Sequence, residues 1–235
     1  MVQIPLRDPP LTQGQIDDFF MLMLDDDTED APWMTMGDLQ FWSASGFAHS
    51  LRNYARRRQL PWYVASMLPI LYDWPNASRK KVLSPDTFVA FVPDHPRTSF
   101  DLAAEGGVFP PFILEVVSPS SAERDEQEKR QAYDTLGARE YALFTPSEQG
   151  ESSLAGYRRG ESGAFSTWPL DEQGRLWSEV LGLYLVVNGA LIQAQTPDGR
   201  LLPTPEQSDE AVDRAEQEVA QLRRELARYR ARDDR

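Results

Sequence analysis

The chain has no cysteine. Disulfides, thiolate metal sites and cysteine nucleophiles are therefore excluded. Histidine is nearly absent as well: His49 and His95 are the two, and neither sits in a metal-binding spacing. A metal site in this chain has to be built from oxygen ligands, which suits hard cations such as magnesium or manganese. Long apolar runs are missing. The longest are far too short to span a bilayer, and the N-terminal MVQIPLRDPPLTQ lacks the apolar centre of a signal peptide. These features read as a cytoplasmic protein with no membrane partner. Positive charge is scarce: 24 Lys and Arg stand against 37 Asp and Glu, for a net charge of -13. Taken alone, that balance disfavours a nucleic-acid partner.

The acidity is unevenly spread. Residues 1–40 hold nine acids and one base, Arg7, and residues 205–235 hold nine acids and seven arginines. The middle is close to neutral and carries basic clusters at Arg56-Arg57-Arg58, Arg79-Lys80-Lys81 and Arg158-Arg159. These read first as solvated faces, with phosphate contact left open. The 235 residues are 41% hydrophobic and include 11 Phe, 8 Tyr and 6 Trp, enough for one sizeable domain with appendages. The pattern divides into an acidic N-terminal segment (1–45), a domain (46–203) and a helical tail (204–235). Within the first, Asp25-Asp26-Asp27-Thr28-Glu29-Asp30 lacks the spaced ligands and central glycine of a calcium loop, and reads as a solvated acidic loop.

Periodicity predicts a helix over 46–59 with Phe47, Leu51, Tyr54 and Ala55 inward, ended by Pro61. Strand-like runs follow at 62–72, interrupted by Pro69, and at 82–92, with a turn at 73–81 and a long loop at 93–110. Residues 111–117, PFILEVV, have the composition of a fully buried strand. Ser120 and Glu123 form a capping box for a helix that runs to Leu136, with Gly137 at its C-terminal cap. A strand at 139–145 completes a strand-helix-strand unit, so it should run parallel to 111–117. Further strands are expected at 153–159, 164–168 and 181–187. In the tail, Thr204, Pro205 and Gln207 mark a helix start. Val212, Ala215, Val219, Leu222, Leu226 and Tyr229 then recur at alternating spacings of three and four, a short heptad seam. The seam can pair with a copy of itself or lie on the domain; self-pairing is favoured.

Glu115 is the sharpest observation. A carboxylate inside a buried apolar strand is destabilising unless it is paired or binds a metal. A structural ion pair with Arg or Lys is one reading, and a functional carboxylate is the favoured one. Asp86 follows Pro85 at the start of a strand. On the helix after Glu115, Asp125, Lys129 and Tyr133 share one face at i, i+4 and i+8; without further context they read as a surface ion pair beside a half-buried tyrosine.

Pro85-Asp86, the run Pro111 to Ser120 with Glu115 inside it, and Asp125, Lys129, Tyr133, Gly137 and Glu140-Tyr141 together resemble the Uma-two family of PD-(D/E)XK restriction-endonuclease-like proteins. Gly156-Tyr157-Arg158, Leu176-Trp177-Ser178-Glu179-Val180-Leu181-Gly182-Leu183 and Leu202-Pro203-Thr204-Pro205-Glu206 extend the similarity, which covers about residues 46–205 with the tail in addition. The resemblance implies an α/β fold: a restriction-endonuclease-like mixed β-sheet core flanked by helices, here with a C-terminal coiled-coil helix. It implies that Asp86 and Glu115, with the main-chain carbonyl of Val116, hold a magnesium or manganese ion. The general pattern places a lysine two residues after the second acid. Val117 stands there instead, and Lys129 on the following helix fits the displaced lysine of the family, with Asp125 positioning it and Tyr133 packing beneath. His49 reads as a surface or capping residue rather than a site-edge group.

The implied activity is metal-dependent hydrolysis of phosphodiester bonds in DNA by an endonuclease that works as a homodimer. The alternative is a catalytically inactive nuclease fold, a binding or regulatory module that oligomerises through its C-terminal helix; the overall acidity and Val117 favour it. A hydrolase acting on another substrate through the same carboxylates has little positive support.

Overall fold

Apolar side chains alternate along the inner strands onto two faces of one sheet, and a core forms against each face. The structure, a computed structural model, describes residues 37–73, 80–117, 124–147 and 150–233. In chain order the elements are helix α1 (Asp38–Arg58), strands β1 (Tyr63–Ser66), β2 (Ile70–Tyr72), β3 (Lys81–Leu83), β4 (Thr87–Ala90), β5 (Phe100–Asp101) and β6 (Phe112–Val116). A π-helical turn (Arg124–Lys129) then runs into helix α2 (Arg130–Leu136). Strands β7 (Glu140–Thr145), β8 (Ser153–Arg159), β9 (Phe165–Thr167), β10 (Leu176–Ser178), β11 (Leu183–Asn188) and β12 (Leu191–Gln195) follow, and helix α3 (Pro205–Asp233) ends the chain.

The central sheet has six strands in the order β1-β4-β6-β7-β8-β9. Its neighbours are antiparallel except β6 and β7, which run parallel as the strand-helix-strand pattern requires. Along β6, Phe112, Leu114 and Val116 enter the core shared with α1 and the three-stranded sheet β10-β11-β12, while Ile113 and Val117 enter the other core, with Tyr133 of α2. A second small sheet, β3-β2-β5, supplies Ile70 and Phe100 to that second core. Each fully buried Phe, Leu or Ile contributes roughly 1.5–3 kcal/mol relative to exposure, and these two layers fix the height and tilt of β6.

Four expectations about elements need correction. Helix α1 begins at Asp38, eight residues before the expected start. Its first turns present Phe41 and Trp42 to solvent and bury Ser43 and Ala44, the reverse of what hydrophobicity signals. The run 62–72 breaks into β1 and β2 at Met67, which takes a left-handed φ of 52°, and the run 82–92 breaks at Pro85 into β3 and β4, which join different sheets. Proline offers no N–H to a ladder, so a strand stops there. The expected loop 93–110 contains β5, paired parallel to β2, and β10 and β12 were not anticipated. By contrast Gly137 closes α2 as expected, at φ 97° with its N–H on the Tyr133 carbonyl at 3.1 Å. Thr204 and Gln207 cap α3 reciprocally: the Thr204 N–H donates to Gln207 Oε1 at 3.1 Å and the Gln207 N–H to Thr204 Oγ1 at 3.3 Å. Residues 1–36 of the acidic segment with its 25–30 loop, most of the 73–81 turn, the Ser120–Glu123 capping box and the side chains of Asp125, Leu226 and Tyr229 lie outside the described residues. Among the described residues no helix is long and apolar enough to cross a membrane.

A buried carboxylate joins the two larger sheets. Glu140, at the start of β7 and 1% exposed, accepts the N–H groups of Glu179 at 2.7 Å and Val180 at 3.3 Å and the hydroxyl of Ser178. Burial pushes its carboxyl above the ordinary range, against the pull of those donors and of Arg158. Glu140→Ala leaves these donors without their acceptor and is expected to lose about 3 kcal/mol in urea unfolding. A raised folded-state pKa adds stability at low pH that is lost as the pH rises through it. Glu140→Gln removes that titration, so the wild type should gain stability relative to Glu140→Gln as the pH falls from neutral toward the carboxylate range.

Candidate active site

The register of β4 against β6 decides where the candidate acids meet. Thr87 lies opposite Leu114, Phe88 opposite Ile113 and Val89 opposite Phe112. One step further along the same register sets Asp86 opposite Glu115. The contacts agree: the Asp86 N–H points at Glu115 Oε2 at 3.4 Å, and the Val116 N–H donates to Asp86 Oδ2 at 2.6 Å. The Asp86 carbonyl is fixed from the other side by Ser66 Oγ at 2.8 Å and the Met67 N–H at 3.0 Å. Glu115 is fully buried, while Asp86 is partly exposed. The site therefore has a closed floor at Glu115 and opens at Asp86.

The helix after β6 supplies two further groups. Lys129 ends the π-helical turn, and Tyr133 lies four residues on, over the same strand. The Lys129 ammonium is 3.0 Å from Glu115 Oε2, with the lysine side chain 16% exposed and the glutamate side chain 1%. The Tyr133 hydroxyl donates to Glu115 Oε1 at 2.7 Å. Burial, and then the negative charge of Glu115, hold the Tyr133 phenol protonated far above its usual range. It is thus a permanent donor. Tyr133 holds the carboxylate directly, where the sequence indicated only a packing role under Lys129. The π turn inserts an extra residue into the helix, a feature frequent at functional sites, and here it ends on the lysine.

Gln40 was not anticipated. Its Nε2 donates to the Val116 carbonyl at 2.9 Å and its Oε1 accepts the Gly37 N–H at 3.3 Å, so the first turn of α1 is tied to the carbonyl next to Glu115. The sequence signal was weak, because Gln40 lay in the segment read as a separate acidic appendage. His49 sits on the exposed face of α1, 2.8 Å from Asn53, and takes no part. Val117 faces the same core as Tyr133 and is 5% exposed. A lysine there would be buried, and Lys129 reaches Glu115 from the helix instead.

Two carboxylates directly opposite on adjacent strands repel each other. Lys129 brings one positive charge against two negative ones. The donor set around the pair is all oxygen: Asp86, Glu115 and the Val116 carbonyl, which keeps a second lone pair beside its bond from Gln40. Such a set fits magnesium, which is usually held by one or two carboxylates and otherwise keeps its waters. Among the described residues no group of three or more His, Cys, Asp and Glu side chains gathers as a larger metal cage.

A mixed sheet flanked by helices, with paired acids at the start of one strand and the middle of its neighbour and a lysine from the following helix, defines a protein of the restriction-endonuclease-like class. The chain belongs to the Uma2 family, described as "Putative restriction endonuclease", whose family model matches residues 32–191. That match begins ahead of α1, so Gln40 lies within it. Comparison with curated proteins gives no match. Among solved structures, the chain is similar to "a putative nuclease belonging to DUF820" from Anabaena variabilis ATCC 29413, with 14% identity and a TM-score of 0.42 over 59% of this chain and 70% of that one.

Tyr133→Phe removes the donor to Glu115 Oε1 while keeping the ring. It is expected to lose about 1–2 kcal/mol in chemical denaturation, the worth of a buried hydrogen bond to a charged group. An unchanged midpoint would mean that the hydroxyl does not hold Glu115.

Proposed function

We propose that the protein is a metal-dependent DNA endonuclease of the PD-(D/E)XK type, hydrolysing phosphodiester bonds with Mg2+ or Mn2+ held by Asp86, Glu115 and the Val116 carbonyl. The observation that carries this reading is the opposed pair Asp86 and Glu115, one partly exposed and one buried, with Lys129 on the buried member. Family membership supports nuclease chemistry and DNA as the substrate class.

A divalent ion held there lowers the pKa of a water and neutralises charge on the phosphate. The protein's own groups do the rest. Asp86 is fixed by the Val116 N–H, and Glu115 is fixed by Tyr133, so both acids are oriented before substrate arrives. Lys129, partly exposed at the mouth, has two roles in this reading: it donates to the attacking water or to a phosphate oxygen, and it stabilises the charge that grows on phosphorus-bound oxygens. Gln40 holds the Val116 carbonyl in place. The enzyme acts in the cytoplasm as a homodimer, so that two sites can address two strands.

A second reading has its own observation. Glu115 already has Tyr133 and Lys129 as partners, a network that is complete as a structural device. With a net charge of -13, an inactive binding or regulatory module on the same fold is the alternative.

Cleavage of duplex DNA in the presence of Mg2+ or Mn2+ separates the two. Asp86→Ala and Glu115→Gln are expected to lower cleavage at least about a hundredfold, with circular dichroism unchanged. Wild-type cleavage by either folded variant contradicts the site assignment. Salt-sensitive DNA binding by the wild type without any cleavage supports the module.

A further inference from the structure

Helix α3 leaves the domain almost at once. Its start is anchored by the Ser50 hydroxyl, which donates to the Pro203 carbonyl at 2.8 Å, and lies over Gly46 of α1, where an added Cβ would come within 4.0 Å of the Pro205 ring. From Asp209 to Arg224 every residue is exposed, in a helix of 29 residues that is about 43 Å long. Val212, Val219 and Leu222 stand 56%, 45% and 56% exposed on it. An apolar stripe on a free helix is unfavourable in water unless something covers it.

We infer that the stripe is covered by the α3 helix of a second copy, in parallel and in register. Two observations commit to this occupant, and the second of them to this direction. First, the seam places Val212, Val219 and Leu226 at a positions and Ala215, Leu222 and Tyr229 at d positions, and in a parallel coil valine at a with leucine at d, as at Val219 and Leu222, favours two strands. Second, the flanking charges match. Glu218 takes a g position and Arg223 the e position five residues on. In a parallel pair these two face each other across the interface, and symmetry makes the contact twice. By sequence position Glu225 and Arg230 repeat the same relation one heptad later. Turning the second helix round with the same apolar layers matched sets Glu216 against Arg223 but also Glu218 against Glu225 of the other copy, which is repulsive, again twice, so the parallel pair has the better charge match.

Each domain sits at the N-terminal end of its α3, so parallel pairing holds both domains at the same end of the coil. The functional consequence rests on the nuclease reading: two sites side by side are suited to cutting both strands of one duplex. The pairing itself is measured without DNA, so failure of the one claim is distinguishable from failure of the other.

Sedimentation of the full chain over a concentration series tests the pairing. A species of twice the 26.7 kDa chain mass is expected, reverting to a single chain in Leu222→Glu. Glu218→Arg should raise the dimer dissociation constant about tenfold, through the loss of two symmetric ion pairs. Glu218→Arg with Arg223→Glu should restore it. The antiparallel arrangement requires the opposite, a tighter dimer in Glu218→Arg. Because the chain has no cysteine of its own, Val212→Cys treated with oxidised glutathione should give a disulfide-linked dimer only if the helices are parallel and in register. All these substitutions lie on an exposed helix, and circular dichroism confirms that the domain stays folded. A single-chain mass at every concentration, a dimer indifferent to Leu222→Glu, or a dimer that fails to cross-link through Val212→Cys overturns the inference.

Discussion

The repulsion between Asp86 and Glu115 is the constraint around which this protein is organised. The register of β4 against β6 brings the two carboxylates face to face, and a slip of one residue would turn Glu115 into the opposite core. The register is held by Phe88, Val89, Phe112, Ile113 and Leu114, all fully buried. The apolar layers therefore do more than stabilise the sheet: they compel two like charges into proximity. A fold that only needed stability would place an apolar residue at 115, as it does at 113 and 117. Glu115 is retained in a setting where its ionised form needs partners.

Those partners come from three separate parts of the chain. Lys129 and Tyr133 come from the crossover between the parallel strands β6 and β7, so the connection that builds the sheet also carries the site's cation and its hydrogen-bond donor. Gln40 comes from the start of α1 and fixes the carbonyl on the far side of Glu115. Asp86 immediately precedes β4, just after the proline in the link from β3 of the small sheet. Lys129, Gln40 and Asp86 thus sit near junctions between elements, where an oriented polar side chain does not interrupt a core, while Tyr133 reaches Glu115 from the middle of α2 with its ring in the core. Glu140 applies the same device to architecture, gathering two backbone N–H groups and a hydroxyl where the sheets join.

Much of this was legible in the sequence, for identifiable reasons. A single acid within PFILEVV is visible because burial follows from composition. The parallel relation of β6 and β7 follows from the helix between them. Gly137 and the Thr204–Gln207 cap are visible because those positions demand particular backbone chemistry. What escaped was set by tertiary contact. The start of α1 buries Ser43 and Ala44 and exposes Phe41 and Trp42, so periodicity misplaced it and Gln40 was hidden with it. Tyr133 could be assigned to the correct helix face but not to the Glu115 oxygen that it meets. Strand β5 is a two-residue piece whose partner β2 lies some thirty residues earlier, whereas β10 and β12 pair with the adjacent β11 and were missed because their own patterns carry little. Glu140 was noticed only as part of a family motif, since nothing local announces a carboxylate whose donors are nearly forty residues away.

If Asp86 and Glu115 are placed to share a cation, then a divalent ion should relieve their repulsion, and that relief is measurable without substrate. Isothermal calorimetry of Mn2+ and Mg2+ against the wild type and Glu115→Gln addresses this directly. The account predicts saturable binding by the wild type at one site per chain and its loss in the folded Glu115→Gln variant. Equal binding by both, or none by the wild type even with uncleavable duplex DNA present, would contradict it and leave Glu115 as a structural partner of Lys129 and Tyr133.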